Sequence, residues 1–142
     1  MTISGSAIVD ALLDMLSAST VFGTGGVTRG LYNVLETASA CCAIVQTPRV
    51  SSAHENFGTW TRTWTIPVDT FYAEEADASL TFDRLLTGQN AVLTCLEADE
   101  SLLGTVDKIV EIEVSDTGGV AMEVGGRVWL PCPLRIVATE ML

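Results

Sequence analysis

At 142 residues, with 48% apolar side chains and a positive mean hydropathy, the chain is sized for one domain (residues 1–142) and is too apolar to be disordered. Eighteen acids against seven bases give a formal charge of -11, and from Glu74 to Glu123 twelve acids face only Arg84 and Lys108. Nucleic-acid binding rests on clustered Lys and Arg and is therefore not expected, while an acidic surface that repels DNA is compatible with this charge.

Taken in order, the spacing first predicts a helix capped by Ser6 and ending near residues 17–20. Ile8, Ala11, Leu12 and Met15 share one stripe, with Asp10, Asp14 and Ser17 opposite. Phe22 to Gly30, with four glycines, reads as a flexible connection. A phosphate cradle is the alternative, but no Lys-Ser or Lys-Thr follows and no strong strand precedes it. Leu31 to Ala40 fits neither period and is a short helix or an irregular descent. Cys41 to Gln46 is a short apolar run suited to a first strand, which Pro48 ends or moves to an edge. A polar loop from Val50 to Gly58 follows as a long hairpin tip, leading to an antiparallel partner strand.

That partner, Trp60 to Tyr72, carries the clearest pattern in the chain. Trp60, Arg62, Trp64, Ile66 and Val68 point one way, and Thr61, Thr63, Thr65, Pro67 and Asp69 the other. Pro67 cannot donate to a ladder, so pairing is expected to stop or bend there. Arg62 either packs its stem on the neighbouring indoles or makes a subunit contact.

Glu74, Glu75 and Asp77 place negative charge where a helix start favours it. From Ala78 onward Thr81, Phe82, Leu85, Leu86, Val92, Leu93 and Leu96 form a 3.6-residue stripe that continues through Gly88. A glycine inside a helix costs about 1 kcal/mol relative to alanine, so a close backbone approach or a break is expected there. Trp64, Ile66, Leu85, Leu86, Val92 and Leu96 are the predicted core. Val106 to Val114 alternates, with Val106, Lys108, Val110, Ile112 and Val114 on one face and Asp107, Ile109, Glu111 and Glu113 on the other. Asp116 to Gly119 reads as a hairpin loop and Val124 to Arg127 as a second tight turn. Arg127 to Thr139 is the last strand, interrupted where Pro131 and Pro133 flank Cys132. The predicted class is α+β: an antiparallel or mixed sheet of about four strands, with one long and one shorter helix packed on one face.

The sequence offers little for chemistry. His54 is the single histidine, and the serines and acid beside it do not make a preorganised triad. Glu111 and Glu113 are read as solvent-facing, since paired-carboxylate catalysis needs a cleft and a carboxyl with a raised pKa. There is no calcium loop, and Cys41, Cys42, Cys95 and Cys132 form no Cys-x-x-Cys pair, so buried free thiols are expected. No catalytic residue, cofactor or metal is assigned. No apolar run reaches bilayer length and no signal-peptide pattern opens the chain, so a soluble, unexported protein is expected. With no catalytic constellation, contact surfaces become the candidate functional elements: Val50, Ser51, Ser52, Ala53, His54, Glu55, Asn56 and Phe57 in the first loop, Arg62, and Asp116, Thr117, Gly118 and Gly119 in the second turn.

The order of these parts resembles the tail terminator proteins of long-tailed bacteriophages, also called tail completion or minor tail proteins. The resemblance rests on the opening amphipathic helix, the first strand at Ala40 to Pro48, and the polar hairpin tip. It continues with the strand closing in Trp64-Thr65-Ile66-Pro67-Val68, the acidic start at Glu74 to Asp77, the long helix, and the end in Ile136-Val137-Ala138. It implies a homohexameric ring that caps the major tail tube protein and joins it to the head-completion, or stopper, protein. Genomic DNA would pass through the ring without specific binding and no membrane would be involved. The implied location is the virion's tail-neck junction, after assembly in the host cytoplasm. The alternatives are another phage neck or tail-tube structural protein, or a small-ligand binding or enzymatic α+β domain.

Overall fold

The computed structural model describes residues 5–19, 21–22, 26–30, 40–54, 58–74, 76–115 and 121–141. In chain order its elements are α1 (Gly5–Ser17), β1 (Val27–Arg29), β2 (Cys41–Val45), β3 (Arg49–His54), β4 (Trp60–Ala73), α2 (Ala78–Glu97), β5 (Lys108–Val114), β6 (Met122–Val124) and β7 (Arg127–Met141). The class is α+β, but the sheet has seven strands rather than about four. It is mixed, in the order β1-β2-β4-β7-β5, with β1 parallel to β2 and the other pairings antiparallel.

The spine is the β4-β7 pair, in unbroken register from Thr61 opposite Met141 to Ala73 opposite Trp129. Each long strand carries two shorter ones in tandem on its outer edge. β2 and then β3 run along β4, and β6 and then β5 along β7. The breaks expected at Pro67 and at Pro131 to Pro133 therefore do not occur, and the tandem arrangement explains why. Within a strand, N and C=O of one residue face the same edge. The Pro67 carbonyl accepts from Gln46 N–H in the elbow between β2 and β3, and the Pro133 carbonyl accepts from Ser115 N–H beyond the end of β5. Each proline thus turns its missing donor toward a gap between flanking strands, where no ladder bond is needed. Pro131, two residues before Pro133, faces the same gap.

The main core lies between the helices and one sheet face. Ile8, Leu12 and Leu16 of α1 and Leu85, Val92 and Leu96 of α2 meet Trp64, Ile66, Val68, Leu134 and Ile136. α1 begins at Gly5, so Ser6 lies in its first turn rather than capping it, and its hydroxyl accepts from Arg29. α2 is capped by Asp77, whose carboxylate accepts from Ser79 N–H at 2.8 Å. The helix runs unbroken through Gly88, where an added Cβ would lie 2.1 Å from Tyr72 Cε1, so the close-approach expectation holds. Of the predicted core, Leu86 is wrong: it is 46% exposed, and Phe82 is 62% exposed. Both belong to the apolar stripe of α2 yet lie outside the buried cluster that holds Leu85, Val92 and Leu96. Leu85, by contrast, is 8% exposed, and Leu85→Ala is expected to cost about 2 kcal/mol, the low end for a buried leucine, because it borders an open groove that can relax. A shift below about half a kcal/mol in denaturant unfolding would refute this packing.

A second cluster on the opposite face joins Cys42, Ile44, Phe71, Ala73 and Trp129, with Met122 and Val124 packed against it. Adjacent Cys41 and Cys42 thus serve opposite faces of β2. β6 and β7 are joined through Gly125 and Gly126, both at positive φ, which is the tight turn expected there. β5 carries a bulge between Ile109 and Glu111, which overturns its predicted alternation: Val110 is 48% exposed, while Ile109, Ile112 and Val114 pack on the core. The Phe22 to Gly30 connection contains β1, which joins the sheet beside β2. Leu31 to Ala40 lies, except for Ala40, outside the described residues.

Candidate protein-contact surface

The loop expected from Val50 to Gly58 is largely a strand. Arg49 to His54 pair with Thr65 to Trp60, so Val50, Ser51, Ser52, Ala53 and His54 form one arm of a hairpin, while Glu55, Asn56 and Phe57 lie outside the described residues. All six side chains of β3 are exposed, so backbone pairing rather than burial makes this strand, and no hydrophobic alternation could announce it. His54 is built into the hairpin: its Nε2 accepts from Gly58 N–H at 3.0 Å and its ring lies 4.8 Å from that of Trp60.

Arg62 turns inward along its own sheet. Its guanidinium lies 3.5 Å from Glu140, a carboxylate only 4% exposed, and Glu140 Oε2 has no hydrogen-bond partner among the described residues. This intramolecular pair is a contact that neither sequence reading of Arg62 named. Asp116, Thr117, Gly118 and Gly119 lie outside the described residues. β5 before them and β6 after them each pair with β7.

A surface that the sequence reading missed lies at the other end of the spine. Glu74, Ala76, Ala78, Phe82, Leu85 and Leu130 line an open groove of about 360 Å³ on the helix side. Phe82 and Leu86 are the signal that could have found it, as apolar residues at the margin of the α2 stripe. A second depression of about 380 Å³ lies on the sheet face opposite the helices, among Arg49, Pro67, Asp69, Glu113, Pro133 and Arg135. There Arg135 bridges Glu111 at 3.2 Å and Glu113 at 2.7 Å, so the two glutamates face solvent as expected and share a cation that the sequence reading did not name.

Among the described residues no group of three His, Cys, Asp or Glu side chains could hold a metal, and no helix is long and apolar enough to cross a membrane. The cysteines are free. Burial pushes the Cys42 thiol up to about 12 and raises Cys41 as well, the latter against the opposing charges of Arg84 and Arg127. Thiols held in that direction are poor nucleophiles. Hydrogen bonds from Ser101 hold the Asp99 carboxyl below its usual range while it ties the turn after α2, a structural use of the acid. No protein-family model matches the chain, and no curated protein matches it.

Proposed function

We propose that the chain is a structural subunit of a phage tail, forming a homohexameric ring that caps the tail tube and joins it to the head-completion protein, with DNA passing through the lumen. It works through surfaces and not by catalysis. The observation that carries this reading is the β3-β4 hairpin, whose outer strand is exposed along its whole length. A rigid, solvated arm on a helix-covered sheet suits a part that reaches toward a neighbouring component. The element order that resembles tail terminators supports it, as does a charge of -11, which suits a lumen to which DNA must not adhere.

Imaging of assembled tails is expected to show six copies at the tail-neck junction, and three or five would overturn the ring. Replacing residues 55–58 by a tight two-residue turn is expected to leave stability within about 1 kcal/mol, because loop length enters only logarithmically. The same variant is expected to block joining of heads to tails. Normal infectivity of particles carrying it would remove the contact role from the hairpin tip.

A further inference from the structure

At the level of the hairpin the sheet ends in β3 on one side and β5 on the other, and the two edges are built differently. β5 is guarded: it bulges between Ile109 and Glu111, carries Lys108, Glu111 and Glu113, and gives its Ile109 N–H to the Glu100 carbonyl at 2.7 Å. β3 has none of these devices. Its six residues pair in unbroken register, and Val50, Ser51, Ser52 and Ala53 carry neither charge nor proline.

The ladder shows which groups the β3 edge presents. Gln46 N–H donates to the Pro67 carbonyl, so the odd-numbered residues of β4 turn their backbone groups toward β2 and β3. Arg49, Ser51 and Ala53, opposite Thr65, Thr63 and Thr61, therefore bond to β4, and Val50, Ser52 and His54 turn N–H and C=O outward. Among the described residues no backbone bond reaches these outward groups. Beside them Val50 is exposed on the helix side, and on the other face Arg49 makes no ion pair among the described residues.

We propose that the outer edge of β3 takes up an extended segment of a different protein as an added strand. A row of N–H and C=O groups recurring every second residue is satisfied by an extended backbone and by no compact ligand. Such a segment would carry an apolar side chain beside Val50 and an acid beside Arg49, on its two opposite faces. A second copy is the poorer occupant. Its β5 edge is guarded, and β3 against β3 is a two-fold contact that closes at two copies and cannot extend a ring. This contact rests on the reading of the hairpin as a contact arm, and it adds the backbone of β3 to the tip as what the neighbouring component meets.

The test separates backbone from side chain. Ser52→Pro removes one outward N–H and puts a ring in the path of an added strand, while the bonds of Ser51 and Ala53 to β4 stay. The folded variant is expected to lower joining of heads to tails roughly tenfold, whereas Ser52→Ala, which keeps the N–H, joins normally. Normal joining by folded Ser52→Pro would overturn the strand contact and leave the ring reading intact. Equal loss in Ser52→Ala would also overturn it, because a side chain would then be what is recognised. If Ser52→Pro does not fold, the outward direction of its N–H is wrong and the contact falls with it. Hydrogen exchange of residues 49–54 in the native chain is the second measurement. The Val50 and Ser52 amides are expected to exchange quickly in the dilute chain and to become protected in assembled particles. Protection already present in the dilute chain would show the edge covered by the molecule itself. Protection that rises with the concentration of the chain alone would make the occupant a second copy, and none in particles would leave the edge empty. Each of these three results overturns the contact. Particles that join heads to tails without this chain would overturn the functional reading and the contact with it.

Discussion

Gly88→Ala is expected to destabilise the protein by about 3 kcal/mol, against the roughly 1 kcal/mol that alanine brings by helix propensity alone. The reason is local and steric. The new methyl would lie 2.1 Å from Tyr72 Cε1 and 2.8 Å from both Cζ and the hydroxyl oxygen. Tyr72 is fully buried, and its backbone is held between Cys41 on one side and Leu130 on the other. The ring has no open side to move into. The helix must then lift from the sheet, and lifting it loosens Leu85, Val92 and Leu96 together. Denaturant unfolding checks this, and any gain in stability would refute the close approach. Tyr72→Leu removes the obstructing ring, so adding Gly88→Ala to that variant should cost far less than adding it to the native chain.

The second large effect is expected at Arg62. Arg62→Ala leaves the Glu140 carboxylate, 4% exposed, without its cation, and removing one member of a buried pair costs about 3 kcal/mol or more. The partly exposed arginine, at 26%, places the expected loss at the lower end, about 3 kcal/mol. Arg62→Ala combined with Glu140→Gln removes the stranded charge and should recover most of that loss. If the single variant loses less than about half a kcal/mol, Arg62 is a surface residue after all and the subunit-contact reading of the sequence returns.

The difference between these two sites shows what kind of information a sequence carries. Gly88 was legible because a glycine inside an otherwise regular stripe is a local anomaly, and the space it leaves is filled by whatever crosses that helix face. Arg62 was legible as unusual, an arginine between tryptophans on an apolar face, but its partner lies 78 residues away and could not be read from its neighbours. The hairpin was half legible. The Trp60 arm alternates, whereas its partner from Arg49 to His54 buries no side chain and so imposes no pattern on its residues.

The sequence by itself determined the elements whose side chains must choose between core and solvent: α1, α2, the apolar β2, the alternating β4 and the glycine turn between β6 and β7. Burial writes a period into a chain, and that period survives without knowledge of the fold. Only the tertiary structure decided what depends on neighbours. It admitted Pro67, Pro131 and Pro133 into long strands because gaps between β2 and β3, and between β6 and β5, lie opposite their missing donors. It left Phe82 and Leu86 exposed while Leu85, Val92 and Leu96 of the same stripe are buried. Hydrogen-bond demand and the width of a covering surface belong to pairs of elements, and neither leaves a mark on a single strand or helix read alone.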